Sequence, residues 1–167
     1  MDAVDLKIIN LLLEDGRMPA AEIARRVGNG VSERVVRYRI RRLVEQGVIQ
    51  VTAIVRPQAF GYTIFADVWL QVDSDRIMEV AQTLATYPNV TYVASAIGET
   101  DVSIQVVARS TDEVYRFVTE VVRRIPGVRK STTSIVPMVL KDVYQWRVPE
   151  DALETKAHKI HSLRGVP

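Results

Sequence analysis

Two helices in this chain are expected to stop in the same way, at Tyr87-Pro88-Asn89-Val90 and at Ile125-Pro126-Gly127-Val128. Proline cannot continue a helix, and the β-branched valine after each turn opens a strand. Ahead of the first stop, Ile77, Val80, Ala81 and Leu84 keep a helical rhythm. Ahead of the second, Val114, Phe117, Val118, Val121 and Val122 do the same. Strands are expected over 61–72, 90–97, 102–108 and 128–139, with a last short one over 143–148. Strand–helix–strand therefore occurs twice, giving βαββαβ, the ferredoxin-like plan. Asp73-Ser74-Asp75 is placed to cap the first helix, and Ser110 with Glu113 to form a capping box on the second.

The first strand has two unlike faces. Tyr62, Ile64, Ala66, Val68, Leu70 and Val72 form an apolar row that belongs in a core. Thr63, Phe65, Asp67, Trp69 and Gln71 form the other row. A βαββαβ plan puts both helices on one side of the sheet and leaves this second row open. Its large aromatics, Phe65 and Trp69, suit burial against another protein chain, the expected dimer interface. Packing beneath a terminal segment of the same chain is the alternative.

Upstream lies a helical unit. Asp2 and Asp5 fit the N-cap and N3 positions of a first helix, Ile8, Ile9 and Leu12 face a core, and Gly16 ends it. Met18-Pro19 opens a second helix, with proline at the first helical position. Its buried side is Ile23, Ala24 and Val27. Gly28-Asn29-Gly30 is a turn. Ser32 then caps a third helix with Val36, Ile40, Leu43 and Val44 inward, and Gly47 stops it. Arg34, Arg37, Tyr38, Arg41 and Arg42 spread over the outward face. Residues 48–55 are β-prone and read as a wing strand, and Arg56-Pro57 begins a linker to Gly61. Helix, helix, glycine-containing turn, helix is the order of a helix-turn-helix, and guanidinium forks suit phosphate oxygens and guanine edges. Arg34, Arg37 and Tyr38 are the base-edge candidates, and Ser32 at the helix start is a further DNA-contact candidate. Arg41 and Arg42, with Arg25 or Arg26 on the preceding helix, are the phosphate candidates. A plain three-helix bundle is the alternative. The expected divisions are 1–56 for the winged helix-turn-helix, 57–61 for the linker, 62–147 for the ferredoxin-like domain and 148–167 for a tail.

Charge placement agrees with that division. Residues 1–60 hold ten Lys and Arg against seven Asp and Glu, while residues 61–147 hold nine against ten. A basic unit beside a slightly acidic one fits a reader of double-stranded DNA joined to a non-reader. The absence of cysteine excludes disulfides, thiolate nucleophiles and cysteine-built zinc sites. No signal-type run and no membrane-length apolar stretch are visible, so a cytoplasmic protein without membrane contact is expected. His158 and His161, without carboxylate or cysteine company, read as part of a surface segment; no metal site and no cofactor are expected.

Several motifs together resemble one family. Asp2-x-x-Asp5-x-x-Ile8-Ile9, Glu14-Asp15-Gly16-Arg17, Glu22-Ile23-Ala24 and Ser32-x-x-x-Val36-x-x-Arg39-Ile40-x-x-Leu43-x-x-x-Gly47-Val48-Ile49 are similar to the leucine-responsive and asparagine-synthesis (Lrp/AsnC) regulators of bacteria and archaea. The likeness runs from residue 2 to about 146. Three positions depart from it: a turn longer by about two residues at Asn29-Gly30, Pro19 in place of a Ser/Thr cap, and Val51 where the wing usually has glycine. The resemblance implies a transcription regulator whose second half dimerises through its sheets, and in the family such dimers often assemble further into octamers. It also implies an amino-acid effector beside Gly98-x-x-Asp101, with Thr133 on the next strand; Glu99, Thr100 and Thr132 are secondary candidates that the resemblance does not carry over. The residues themselves allow two readings of Gly98-Glu99-Thr100-Asp101. Asp101 can hold an α-ammonium and the backbone N–H groups an α-carboxylate, or the segment is an ordinary hairpin turn.

Three functions are compatible with these expectations. One is a sequence-specific regulator, with two arginine helices entering successive major grooves roughly 34 Å apart. Another is an architectural protein wrapping DNA with little sequence preference. The third is an enzyme on the same two-part plan, which resembles that of siroheme decarboxylases. Such chemistry needs positioned histidine or arginine in a pocket, and the chain has no histidine before His158.

Overall fold

The computed structural model describes residues 1–149. The described chain divides into two units, one of Met1–Ala53 together with residues 141–149, the other Ile54–Leu140. This differs from the expected divisions at 56, 61 and 147. The segment after Lys141 groups with the helices, where Asn10 donates to the Val148 carbonyl at 3.4 Å and Arg147 lies 3.9 Å from Glu14. His158 and His161 lie outside the described residues.

The first unit holds α1 (Ala3–Glu14), α2 (Ala20–Val27) and α3 (Glu33–Glu45). Asp2 and Asp5 form a full capping box on α1. Pro19 is the N-cap of α2, one position earlier than expected, with an extended ψ of 140°. Ile8, Ile23 and Val36 are fully buried where the three helices meet. Gly28, Asn29 and Gly30 all have positive φ, at 72°, 55° and 71°, so the α2–α3 turn is built from three consecutive left-handed residues. Ser32 caps α3 by accepting from the Val35 N–H at 3.3 Å. The helix stops where the Gly47 and Val48 N–H groups donate back to the Val44 and Leu43 carbonyls. Val44, expected inside, is 45% exposed, because about 100° per residue carries it off the Val36–Leu43 line. The expected wing strand is not formed: residues 49–56 carry no regular structure, and no strand within the described chain pairs with them.

The second unit is α+β. Strand β1 (Ile64–Val72), helix α4 (Ile77–Ala85), strands β2 (Val90–Ser95) and β3 (Val102–Ala108), helix α5 (Thr111–Arg116) and strand β4 (Val128–Val136) follow in order. A single π turn (Phe117–Val121) and a 3₁₀ turn (Val122–Arg124) prolong α5. The sheet order is β2-β3-β1-β4 with every pair antiparallel, the ferredoxin-like arrangement. Ala66, Val68, Leu70 and Val72 of β1 are buried on the helix side against Val80, Leu84, Val114 and Val122.

Several expected ends move. β2 stops at Ser95 and leaves Ile97 fully exposed. β4 stops at Val136, and the expected strand over 143–148 is a 3₁₀ turn, Val143–Gln145, capped by Asp142. The N-cap of α4 is Arg76, with no side-chain cap; Asp73 contributes only its carbonyl, which accepts from the Arg76 N–H. Half of the expected box on α5 forms. The Ser110 hydroxyl accepts from the Glu113 N–H, but the Glu113 carboxylate reaches the Arg109 N–H, one residue too early.

Candidate nucleic-acid interface

Helix α3 presents an open groove lined by Ser32, Glu33, Arg34, Arg37, Tyr38 and Arg41. At about 100° per residue, Arg34, Tyr38 and Arg41 lie opposite Val36 and Leu43, and Arg37 flanks them. Tyr38 is 62% exposed. Arg34 and Arg41 have no carboxylate within ion-pair reach among the described residues, so their charge is available to a ligand. Arg37 is paired with Glu33, one turn earlier on the same helix.

The other expected DNA contacts are engaged inside the unit. Arg25 donates to Glu22 through Nε and Nη2 at 2.9 and 2.6 Å, which holds the Glu22 carboxyl below the usual carboxylate range. Arg26 reaches Glu14 at 2.8 Å. Arg42, expected on the outward face, turns instead to Asp5, its Nη2 donating at 2.7 Å to a carboxylate that is fully buried. Its angular position explains this: Arg42 stands about a quarter-turn from the Arg34–Arg41 line, toward α1.

Arg39, absent from the outward set, joins the same cluster. It donates to Asp5 at 2.8 Å and to both oxygens of Asp2 at 2.8 and 2.7 Å. The Arg39 guanidinium, together with the Asp5 N–H, keeps the Asp2 carboxyl below its ordinary range. The signal in the sequence was the spacing Val36, Arg39, Leu43, which puts Arg39 beside the core line rather than opposite it.

In the second unit, the Gly98–Asp101 turn caps the β2–β3 hairpin. Gly98 has φ 147°, a conformation side-chain-bearing residues rarely adopt. Asp101 already has partners: its carboxylate accepts from the Val72 N–H at 2.7 Å and lies 3.8 Å from Arg129. The Glu99 carbonyl accepts from Gln71 at 3.1 Å. Among the described residues, the N–H groups of Gly98, Glu99 and Thr100 meet no acceptor in the turn. Thr133 is opposite Val68, on the helix side of the sheet, whereas Thr132 is opposite Trp69 on the open side. No hydrogen bond between described residues joins either threonine to the turn. On the open side, Phe65 stands between Val107 and Val136, and Trp69 between Ser103 and Thr132.

Among the described residues, no helix is long and apolar enough to cross a membrane. Residues 1–44 match the family model of the AsnC-type helix-turn-helix domain, and residues 64–146 match that of the Lrp/AsnC ligand binding domain. An uncharacterized HTH-type transcriptional regulator of Pyrococcus abyssi is 37% identical over 142 residues, covering 84% of this chain and 89% of that protein. The HTH-type transcriptional regulator FL11 of Pyrococcus furiosus is 36% identical, covering 85% of this chain and 93% of its own length. Among solved structures, a transcriptional regulator from Neisseria meningitidis in complex with L-Met superposes with a TM-score of 0.82 at 24% identity, over 92% of this chain and 99% of that one.

Proposed function

This chain belongs to the Lrp/AsnC family of transcriptional regulators, and we propose that it reads double-stranded DNA through the Arg34–Arg41 face of α3 and answers to a free amino acid. The observation that carries the DNA reading is the α3 groove. It exposes Arg34 and Arg41, free of carboxylates among the described residues, on a helix held from behind by buried apolar residues. Arg34, Arg37 and Tyr38 sit toward the start of the helix, where a recognition helix meets base edges. Arg41 lies about one turn further along and contacts phosphate. Arg25 and Arg26 contact phosphate only by giving up Glu22 and Glu14.

The effector is an α-amino acid at the Gly98–Asp101 turn. Support comes from the unbonded N–H groups of that turn, which suit a carboxylate, and from the L-Met bound to the Neisseria regulator of the same fold. Asp101 accepts the ammonium group while keeping Val72, with Thr133 or Thr132 contributed by β4. Effector binding acts on DNA affinity by favouring one assembly over another, which requires unequal affinity for the two. The chain works in the cytoplasm as a homodimer or a larger assembly of dimers, joined through the Phe65 and Trp69 face, and as a regulator rather than an enzyme.

The test is quantitative footprinting on genomic fragments, with and without a panel of free amino acids, using the parent chain and Arg41→Ala. Discrete protected sites are expected, shifted by at least one amino acid. Arg41→Ala should weaken binding to every duplex and flatten the salt dependence by about one unit of slope. Uniform coverage of DNA, or an unchanged slope in the variant, would overturn the reading.

A further inference from the structure

We propose that Glu33 is the residue through which α3 rejects wrong DNA, and that it reads a cytosine. The proposal rests on α3 being the DNA-reading helix. Six residues line the α3 groove, and Glu33 is the one carboxylate among them. It occupies the first position of the helix, its side chain is 44% exposed, and it holds Arg37, which is itself 69% exposed. Such a pair, one turn apart on an exposed helix face, shifts a helix equilibrium by only about twofold. A duplex can therefore separate it at little cost.

What happens next depends on the sequence presented. Phosphate oxygens repel a carboxylate, so on most DNA the freed Glu33 faces negative charge with nothing to accept from. In the major groove the groups that can donate to it are the N4 amino group of cytosine and the N6 amino group of adenine, and a carboxylate pairs characteristically with cytosine. On a site with cytosine at the right position, Glu33 accepts from N4. Arg37 is then released to a neighbouring phosphate or guanine edge. On any other site Arg37 either stays with Glu33, losing a DNA contact, or leaves it unmatched beside the backbone. Specificity here comes from a repulsion that one base relieves.

Other acidic residues of the unit do not share this position. Asp5 is buried with Arg39 and Arg42, Asp2 is bonded to Arg39, and neither Glu22 nor Glu14 lines the groove.

The experiment uses the full chain with Glu33→Gln and Glu33→Ala, selection from random-sequence duplexes, and salt titrations on one selected and one unrelated duplex. Glu33→Gln should bind unrelated DNA more tightly, with a salt slope steeper by about 0.9 because Arg37 now neutralises one more phosphate. Its advantage over the parent should therefore shrink about threefold between 50 and 200 mM salt. At one base pair the selected cytosine should shift toward adenine in Glu33→Gln, because glutamine pairs with the adenine edge, and lose preference in Glu33→Ala. Discrimination there should fall by about fivefold or more. If both variants select the parent sequence with the parent specificity ratio, Glu33 only stabilises the helix and the assignment is wrong. Arg41→Ala, run in parallel, separates the two readings. A weakened Arg41→Ala beside unaltered Glu33 variants removes the Glu33 assignment alone, and an unaltered Arg41→Ala removes DNA reading by α3 with it.

Discussion

A carboxylate withdrawn from water in a small helical unit is tolerable only when cations and donors surround it. Asp5 meets that condition with three partners: Arg39 at 2.8 Å, Arg42 at 2.7 Å and the Asp2 N–H at 3.0 Å. Both guanidiniums come from α3 and the carboxylate from α1, so the cluster fixes the roll of α3 about its axis. It thereby decides which arginines face outward. Removing the charge from Asp5 leaves two guanidiniums half-sheltered beside a neutral amide. Breaking a buried pair from one side costs about 3–5 kcal/mol, and the partial exposure of Arg39 and Arg42 brings the expectation for Asp5→Asn to the lower end, about 3 kcal/mol. Urea unfolding followed by circular dichroism, with amide exchange in α1 and α3, measures it. A loss below about 1 kcal/mol would mean that apolar packing alone sets the helix. The spacing of Arg39 hinted at a place beside the core, but the sequence did not show which carboxylate either arginine would meet. Helical periodicity separates the apolar line from the rest, but it does not tell an arginine that ends in solvent from one that ends on a carboxylate 37 positions away.

The α2–α3 connection is governed by backbone conformation rather than contacts. Gly28 has φ 72° and ψ −153°, a region open in practice to glycine alone, and an added Cβ would meet no atom within 4 Å. Gly28→Ala should therefore cost about 1–3 kcal/mol through strain only, while Asn29→Gly, already left-handed, should stay within about 0.5 kcal/mol. Chemical denaturation of both variants decides this, and a neutral Gly28→Ala would show that the turn relaxes into another form. Most elements whose signal is local were legible: the Asp2 and Asp5 cap of α1, the Ser32 cap, the alternation along β1 and the two Pro-containing helix stops, though not the cap of α4 or the second half of the α5 box. Those that depend on a distant partner were not. Residues 48–55 have the β-branched composition of a strand, but a strand exists only where another backbone offers a ladder, and the described chain offers none. The Val143 segment failed likewise: no strand pairs with it among the described residues, and Asp142 caps it as a 3₁₀ turn. At the candidate effector turn, the Gly98 and Asp101 motif was readable. That Asp101 already serves the Val72 N–H was not, because that bond spans 29 positions.

In the ferredoxin-like unit, α4 and α5 pack on the face of β1 that carries Val68 and Leu70, so among the described residues no helix of this unit covers the face carrying Phe65, Asp67 and Trp69. Its centre is mixed. Asp67 accepts from Gln105 at 3.1 Å and is opposite Ser134, with Phe65 and Trp69 two residues to either side along β1. Apolar anchors around a satisfied polar pair are the composition of a specific interface rather than of a solvent-facing sheet. If a second copy covers this face, a lysine in place of Trp69 puts two unpaired charges into the interface, one from each subunit. Trp69→Lys should be monomeric at micromolar concentration by analytical ultracentrifugation, with an unchanged circular dichroism spectrum, while the parent sediments as a dimer or larger. DNA binding should respond in a particular way. Affinity for a single half-site should stay near the parent value, since α3 belongs to the other unit. Affinity for a duplex with two half-sites should fall by about a hundredfold or more, because the second contact is no longer intramolecular. A variant that stays dimeric would place the subunit contact elsewhere. A monomeric variant that keeps full affinity for the paired site would mean that each chain reads DNA alone.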